Sequence, residues 1–504
     1  MGRLMLVGLL AFAVALMGTA AYAEVQNIKV GGDIDMKAAM HNNYDLKLKQ
    51  KNEPGTTGGT TPVVTNDDNA NFYLSTVHVT VDADLTDNVA AHVRLVNQRF
   101  WDADGANTNN VNIDNAYVVL KEFLYSPLTV MVGRQNLKYG TGFIVGDGLL
   151  GDPNGIFTSI GTGASTLTGI GREYSAYNAF DAIRLILDYS PVTIEGLIAK
   201  VNETGVTDDD EDLYGVYVSY KTPDFAWWKD GVIEPYWFFK NNESAALTAS
   251  DSSLIAFTRR LFEVNRVHTF GVRTAGNPMQ NLWVNAEIAA QAGEIKDTTG
   301  AGSAPAVSNI FERKRHGWAA NLEARYNWAH VRWTPTTGGG YVYFSGTGTT
   351  GEGSTTSNSV AVFDRTKSFG AWDAMYRGSF TTFIQDFLAG NDAGGLYTTF
   401  DGQDTSASTN RHLLYGDFSV KPLEDLTLWL RYTHAWFAHP PRVGRSHDAG
   451  YELDAKAVYN YTDDVQLALF GGWFFPGRYY YQPVSSLRGK DLAWTTGGSA
   501  TVKF

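Results

Sequence analysis

Hydrophobic and polar residues alternate along this chain in segments of about ten residues, the length of a strand that crosses an outer membrane. In the first segment the apolar residues stand at even positions: Ile28, Val30, Ile34, Met36, Ala38 and Met40. The polar residues stand at odd positions: Lys29, Asp33, Asp35, Lys37 and His41. Because successive side chains of a strand point to opposite faces, the pattern predicts strands with one apolar face and one hydrated face.

The alternation recurs to the last residue and predicts eighteen strands. Near the end, for example, Leu426, Leu428 and Leu430 alternate with Thr427 and Arg431. The predicted strands span 26–48, 71–86, 88–101, 111–122, 127–140, 178–189, 191–202, 212–222, 231–241, 266–275, 281–294, 314–327, 338–346, 410–421, 425–437, 449–462, 464–475 and 490–504. An even strand number of this size is typical of a closed antiparallel barrel with a hydrated interior.

Short and long links alternate between these strands. Short links, such as Thr86-Asp87 and Ser190-Pro191, fall at every second junction. The longest links are polar or rich in glycine and span 49–70, 141–177, 241–265, 295–313 and 346–409. Outer-membrane barrels have short periplasmic turns and long extracellular loops. We therefore predict an all-β, transmembrane, antiparallel up-and-down β-barrel of about 18 strands, because a soluble β-sandwich does not account for this rhythm.

The two ends of the chain indicate export and insertion into the outer membrane. A basic residue and a short apolar run precede a small-residue cleavage site that ends at Ala23. We predict a signal peptide at 1–23, cleavage before Glu24, and a single barrel domain over 24–504. The terminal Phe504 resembles the C-terminal signal of outer-membrane barrels, and we expect the barrel-assembly machinery to be a partner.

Composition narrows the function classes. The chain has 52 Gly, 26 Tyr, 27 Phe and 13 Trp, which suits a barrel with aromatic girdles. It has no Cys, which excludes disulfides, thiolate metal sites, thiol nucleophiles and covalent haem attachment within this chain. The net charge of -13 argues against nucleic acid as a partner. We expect neither a cofactor nor a metal.

Motifs that would indicate catalysis are lacking, so we do not expect an enzyme. The tract Gly346-x-Gly348-x-x-Gly351 matches a dinucleotide fingerprint by letter, but it opens no helix and lies in a link rich in Gly, Thr and Ser. The sequence contains no G-x-S-x-G or H-E-x-x-H motif, and its ten His show no ligand spacing. An outer-membrane enzyme stays a minor alternative, because an acid–His pair could still meet across strands.

Several segments resemble the alginate-export family of bacterial outer-membrane barrels, and the resemblance covers most of the mature chain. They are VGRQNLKYG from Val132, FDAIRL from Phe180, HTFGVRTAG and NAEIAAQAG between His268 and Gly293, YELDAKAVYNY from Tyr451 and FFPGRYYY from Phe474. The resemblance implies an eighteen-stranded barrel and a polar lumen, through which the family's namesake passes a polyuronate. Because the family is broad, the solute stays open.

Strand parity assigns candidate pore-lining residues. If the apolar face contacts lipid, the opposite face places five arginines in the lumen: Arg94, Arg184, Arg273, Arg325 and Arg431. The candidate lumen acids include Glu287, Glu323, Glu452 and Asp454. Guanidinium groups bind carboxylates in a bidentate manner, so such a wall would favour anions and polyuronates. The alternative is that the arginines pair with acids on neighbouring strands and stiffen the wall.

Arg134 is a separate case. It shares the parity of the apolar Val130 and Val132, so it would face lipid. A bulge at Gly133 would turn it into the lumen, where the family resemblance places this Gly-Arg-Gln.

These observations predict a channel for passive diffusion of hydrophilic solutes. The more specific prediction is that these solutes are anions or polysaccharides. The link at 141–177 is a candidate constriction, and 346–409 is a second long link that could plug or gate the pore. The alternative is a barrel that serves as a sleeve or scaffold for a partner, such as an exporter assembly or a separate haem protein. Outer-membrane lipid and lipopolysaccharide are the expected surroundings, and a periplasmic or surface partner stays open.

Overall fold

The computed structural model describes residues 27–43, 46, 70–101, 111–146, 179–202, 211–243, 261–298, 310–347, 368–379, 381–386, 409–440, 446–481 and 491–504. The predicted cleavage site between Ala23 and Glu24 lies outside the described residues.

Eighteen β-strands account for most of the described chain. They are β1 (Asn27–Asn42), β2 (Ala70–Thr86), β3 (Val89–Phe100), β4 (Asn112–Leu120), β5 (Leu128–Asn136), β6 (Ala179–Asp188), β7 (Val192–Asn202), β8 (Glu211–Lys221), β9 (Lys229–Asn242), β10 (Leu261–Met279), β11 (Leu282–Thr298), β12 (Ile310–Asn327), β13 (Thr336–Phe344), β14 (Arg411–Leu423), β15 (Leu426–Phe437), β16 (Asp448–Asn460), β17 (Val465–Pro476) and β18 (Ala493–Lys503). A single helical turn, α1 (Arg478–Tyr481), follows β17. Among the described residues, no helix combines the length and the apolar character needed to cross a membrane.

The sheet closes on itself and forms a barrel. Each strand pairs antiparallel with its neighbours in the chain, and β1 also pairs with β18. Beyond the last strand, the amide of Phe504 donates to the Gly32 carbonyl at 3.0 Å, and the Gly32 amide donates to the Phe504 carbonyl at 2.9 Å. Closure satisfies the backbone groups that an edge strand would leave unpaired in lipid. The predicted eighteen-stranded up-and-down barrel is confirmed.

The two faces of the wall follow the predicted parity. In β6, for example, Ile183 and Leu185 are exposed on the outer surface, whereas Ala182 is buried on the inner side. Large apolar side chains are exposed on the outward parity of other strands too, including Phe270, Ile288, Leu430 and Leu469. A soluble protein rarely exposes so much apolar surface, and in an outer membrane this surface contacts acyl chains.

The links between strands are short at one end of the barrel and mostly long at the other. Among the short links, 87–88 is one of the shortest and 328–335 is the longest. The long links include 43–69, 137–178 and 345–410. The short-link end is therefore the periplasmic end.

Two predicted boundaries differ from the structure for physical reasons. The strand predicted over 266–275 extends over Leu261–Met279, because backbone pairing continues where a strand no longer needs an apolar face. The strand predicted over 127–140 ends at Asn136, because the chain then leaves the wall and enters the lumen.

Candidate functional site

Two segments leave the extracellular ends of strands and fold into the barrel. We call them the first inner segment (137–146, after β5) and the second inner segment (368–379 and 381–386, between β13 and β14), and together the plug. Their apolar side chains, such as Phe143 and Trp372, are almost completely buried and join one hydrophobic cluster with inward-facing wall residues such as Phe180 and Phe344. The extracellular part of the lumen is therefore packed with side chains.

The two inner segments are bonded to each other through their backbones. The amide of Tyr376 donates to the Ile144 carbonyl at 3.0 Å, the Gly146 amide donates to the Tyr376 carbonyl at 2.9 Å, and the Gly378 amide donates to the Gly142 carbonyl at 2.8 Å. A Cβ atom on Gly146 would stand 2.9 Å from the Cα atoms of both Gly142 and Gly378. The segments can approach this closely because these positions lack side chains.

Asp373 fastens the second inner segment to four adjacent strands. Its carboxylate lies 3.1 Å from Nζ of Lys240 in β9 and 3.7 Å from Nη2 of Arg315 in β12, and it accepts a hydrogen bond from Asn265 in β10 at 2.7 Å. Its backbone exchanges two hydrogen bonds with the side chain of Gln291 in β11, at 2.7 and 2.9 Å. Burial raises the pKa of Asp373, but the neighbouring Lys240 and Arg315 lower it more, so the net pKa lies below its usual value.

The far end of the second inner segment is fastened to β15 and β16. Glu452 accepts hydrogen bonds from the backbone amides of Ile384 and Gln385, at 2.6 and 2.9 Å. Arg431 donates to the backbone carbonyl of Thr381 at 3.0 Å. The second inner segment therefore spans the lumen from β9–β12 to β15–β16.

The first inner segment is held by Tyr139, whose hydroxyl donates to Glu195 in β7. The same carboxylate receives Nε and Nη2 of Arg184, at 2.7 and 2.8 Å. The Tyr139 ring packs at 4.8 Å, centroid to centroid, from that of Tyr217. Burial raises the pKa of Tyr139, so it stays a neutral hydrogen-bond donor.

Cross-strand ion pairs neutralise four of the five arginines assigned to the lumen. Arg184 pairs with Glu195, Arg273 with Glu234, and Arg431 with Asp417 at 3.0 Å. Arg94 lies 3.3 Å from Asp114 and 3.7 Å from Asp33. This is the arrangement expected if the arginines stiffen the wall.

Arg325 differs from the other four. It lies on the inward parity of β12, near the periplasmic end, where its side chain is exposed and forms no ion pair with a described residue. Opposite Arg325 stands Gly338 of β13, where a Cβ atom would lie 3.0 Å from Arg325 Cγ and 2.7 Å from Oδ1 of Asp417, the acid that pairs with Arg431. Arg325 is therefore a cation available to a solute.

Arg134 stays on the outward parity in the strand register, although only 14% of its side chain is exposed. Gly133 has the unusual backbone expected there, with a φ of +128°, but the pairing of β5 with β4 and β6 continues without a register shift. Arg134 keeps the outward parity and donates to the backbone carbonyl of Asp114 at 3.1 Å, with Asp181 at 3.9 Å.

The candidate lumen acids serve different contacts. Glu287 is buried and accepts a hydrogen bond from Tyr236 at 2.8 Å, and Glu323 accepts one from Asn321 at 3.1 Å. Asp454 is buried beside Glu452, and no described donor meets hydrogen-bond geometry at either of its oxygens. Among the described residues, no cluster of three or more His, Asp or Glu side chains could hold a metal ion.

Sequence reasoning missed Asp373 and the residues that bind it. A signal was nevertheless present: the link at 346–409 contains the aromatic and apolar stretch SFGAWDAMYRGSFTTFIQDF from Ser368, although extracellular loops are normally polar. The apolar side chains of such a stretch have to be buried, and here they pack against the inward-facing apolar residues of the wall.

Comparisons with known proteins agree with this architecture. A family model described as "Alginate export" matches residues 26–490. The outer membrane protein OpdK from Pseudomonas aeruginosa shares 7% identity, with a TM-score of 0.51 over 95% of this chain and 99% of that chain. OpdQ from Pseudomonas aeruginosa shares 10% identity, with a TM-score of 0.50 over 96% of this chain and 99% of that chain. These two likenesses show the fold alone, and no curated protein matches the chain.

Proposed function

The chain belongs to the alginate export family and is an integral outer-membrane channel for passive diffusion, and from that premise we propose that its solutes are small hydrophilic anions with carboxylate groups, such as uronates. The observation that carries this proposal is Arg325, an exposed guanidinium on the inward face that no described acid neutralises. A guanidinium stays charged at all physiological pH values and matches a carboxylate with two parallel hydrogen bonds.

Other inward-facing charged residues support an aqueous vestibule at the periplasmic end. Lys456 is exposed on the inward parity of β16, and Arg94 keeps about a quarter of its side chain exposed, at 28%. Acids are present too, among them Asp82 and Glu323, so the vestibule is mixed in charge rather than uniformly basic. We therefore expect moderate anion preference and weak, reversible solute binding.

The plug limits the size of the solutes that can pass through the lumen. It packs the extracellular part of the lumen with Trp372, Phe143 and other large side chains. A polysaccharide chain could pass only if the plug moved as a body. The packed lumen also argues against the sleeve alternative, because a partner inside the barrel would have to replace the chain's own residues.

The surroundings of the barrel are part of the proposal. We propose that the outward apolar band contacts outer-membrane lipid and lipopolysaccharide, and that the barrel-assembly machinery recognises the C-terminal strand ending at Phe504. The family assignment favours a channel over an enzyme.

Single-channel recording in a planar bilayer tests the anion proposal, through conductance and reversal potential with and without an oligouronate. We expect anion preference in the parent chain, block by the oligouronate, and roughly tenfold weaker block in Arg325→Gln, because one charge-assisted contact is lost. Arg332→Gln is the matched control, because Arg332 lies in a periplasmic turn against Trp333. Cation preference, or equal block in both variants, would refute the role given to Arg325.

A further inference from the structure

We propose that the plug is a displaceable gate and that Asp373 is the latch that holds it closed. This inference rests on the proposed function, since a gate has meaning only in a channel. It gives Asp373 a positioning role: the residue sets whether the extracellular part of the lumen is filled, without itself contacting the solute.

The first argument is how the second inner segment is attached. Within the described residues, a single β-bridge, between Phe369 and Arg315, joins this segment to the wall. One further backbone bond, from the Trp372 amide to the Ser345 carbonyl at 2.9 Å, lies just beyond the end of β13. The other polar attachments to the wall are made through side chains, chiefly around Asp373 at one end and Glu452 at the other. A segment held mainly through side chains can detach while the backbone ladder of the barrel stays intact.

The second argument is the charge at the Asp373 end. Asp373 is fully buried and lies between Lys240 and Arg315. A second acid near Lys240 is Glu211, whose carboxylate is 4.0 Å from the Lys240 Nζ and also accepts a hydrogen bond from the Tyr376 hydroxyl. Without the Asp373 charge, the described part of the chain would leave the buried Arg315 guanidinium only the Ala371 carbonyl, at 3.1 Å, and the Phe369 ring.

Removing one partner of a buried ion pair is strongly unfavourable, because the other charge is left without compensation. The buried arginine of the wall regains water only if the segment moves away. Asp373→Asn keeps the size and shape of the side chain and removes the charge. We therefore expect the equilibrium to shift towards the detached plug by roughly 10²- to 10³-fold.

The position of Gly472 allows a reversible lock. A Cβ atom on Gly472 in β17 would lie 3.3 Å from the Cβ atom of Phe383 in the second inner segment. Disulfides usually join Cβ atoms about 3.5–4.5 Å apart, so the pair Gly472→Cys and Phe383→Cys needs a slightly longer separation. It also needs the Asp454 carboxylate to move aside, because Oδ1 of Asp454 would stand 2.9 Å from the new Cβ atom. Because the chain has no Cys, these two thiols would be the only ones present.

The experiment has two independent readouts. The first is labelling of Gln385→Cys, a buried position of the plug, by a water-soluble maleimide in detergent-solubilised barrel whose folding is verified by heat-modifiable migration. We expect labelling at least 100-fold faster when Asp373→Asn is present. Asp181→Asn is the matched control, because Asp181 is exposed on the outward parity of β6 and pairs with Arg134. Equal labelling rates with and without Asp373→Asn would overturn the latch.

The second readout is conductance of Asp373→Asn combined with the Gly472–Phe383 cysteine pair. We expect rare openings in the oxidised protein and frequent openings after reduction. Rapid labelling of Gln385→Cys in a barrel that stays silent would support the latch and contradict the channel. Steady, full conductance in the parent chain, unchanged by Asp373→Asn or by reduction, would agree with the proposed channel function and refute the proposed gate.

Discussion

The apolar side of the plug gives a prediction that does not depend on the latch. Trp372 is among the largest fully buried side chains, and its ring lies 6.4 Å from that of Phe344 on β13. Its Cα atom stands so close to Gly317 of β12 that a Cβ atom there would be 3.0 Å away. Trp372→Ala would therefore empty a large volume between the second inner segment and the wall.

Truncation of a buried Trp or Phe to Ala costs about 3–5 kcal/mol, through lost transfer free energy and the cavity left behind. We expect this loss to fall on the local equilibrium between docked and detached plug, because Trp372 adds nothing to the backbone ladder of the barrel beyond one amide bond to Ser345. About 3–5 kcal/mol corresponds to a shift of between roughly 10²-fold and several thousand-fold.

The assay combines two measurements on Trp372→Ala. Open probability in a planar bilayer should rise, while the temperature of the heat-modifiable transition, which reports the barrel itself, should change little. Trp333→Ala serves as control, because Trp333 is exposed in a periplasmic turn. If Trp372→Ala lowered the transition temperature of the whole barrel and left open probability unchanged, the plug would be part of the cooperative core and not a separate unit.

Three further predictions concern pH, close packing and closure. Because the pKa of Asp373 is lowered in the folded protein, its contribution is complete above its ordinary pKa of about 4 and is lost only as pH falls further. The ratio of open probability in Asp373→Asn to that in the parent chain should therefore stay constant from pH 7 to about pH 4 and fall only below that, and a fall already at pH 5 would contradict the assignment. Gly146→Val should separate the two inner segments and raise conductance, whereas Gly196→Val, whose added Cβ meets nothing within 4 Å, should not. Deletion of Phe504 should remove its two backbone bonds to Gly32 and reduce the yield of heat-modifiable barrel, while Phe504→Tyr should keep it.

Much of the fold could be predicted because a strand in a membrane obeys strict local rules. Each strand must turn apolar residues to lipid at every second position, so Ile28, Leu185 and Leu430 identify their faces without any partner being known. The backbone must also be fully paired, which turns an even number of such strands into a closed barrel. The alternating length of the links then assigns the two ends.

The candidate site was harder to predict, because the roles of inward residues depend on what lies across from them. Arg184 and Arg325 have the same parity and the same chemistry, yet Arg184 is bound by Glu195, which also accepts a hydrogen bond from Tyr139, while Arg325 is exposed. The register between strands sets this difference, and register is a property of pairs of strands. Arg134 shows the same limit, since the unusual backbone of Gly133 was foreseen but the unbroken pairing beside it was not.

The sequence by itself therefore determined the membrane location, the barrel, its strand number and the direction of most side chains, because these follow from periodicity and from the cost of unpaired backbone in lipid. Only the tertiary structure decided which charges are neutralised and that the lumen is filled. The plug brings Asp373 to Lys240 and Arg315, residues 133 and 58 positions away in the chain, and no local pattern encodes contacts that exist only once the barrel has closed around them.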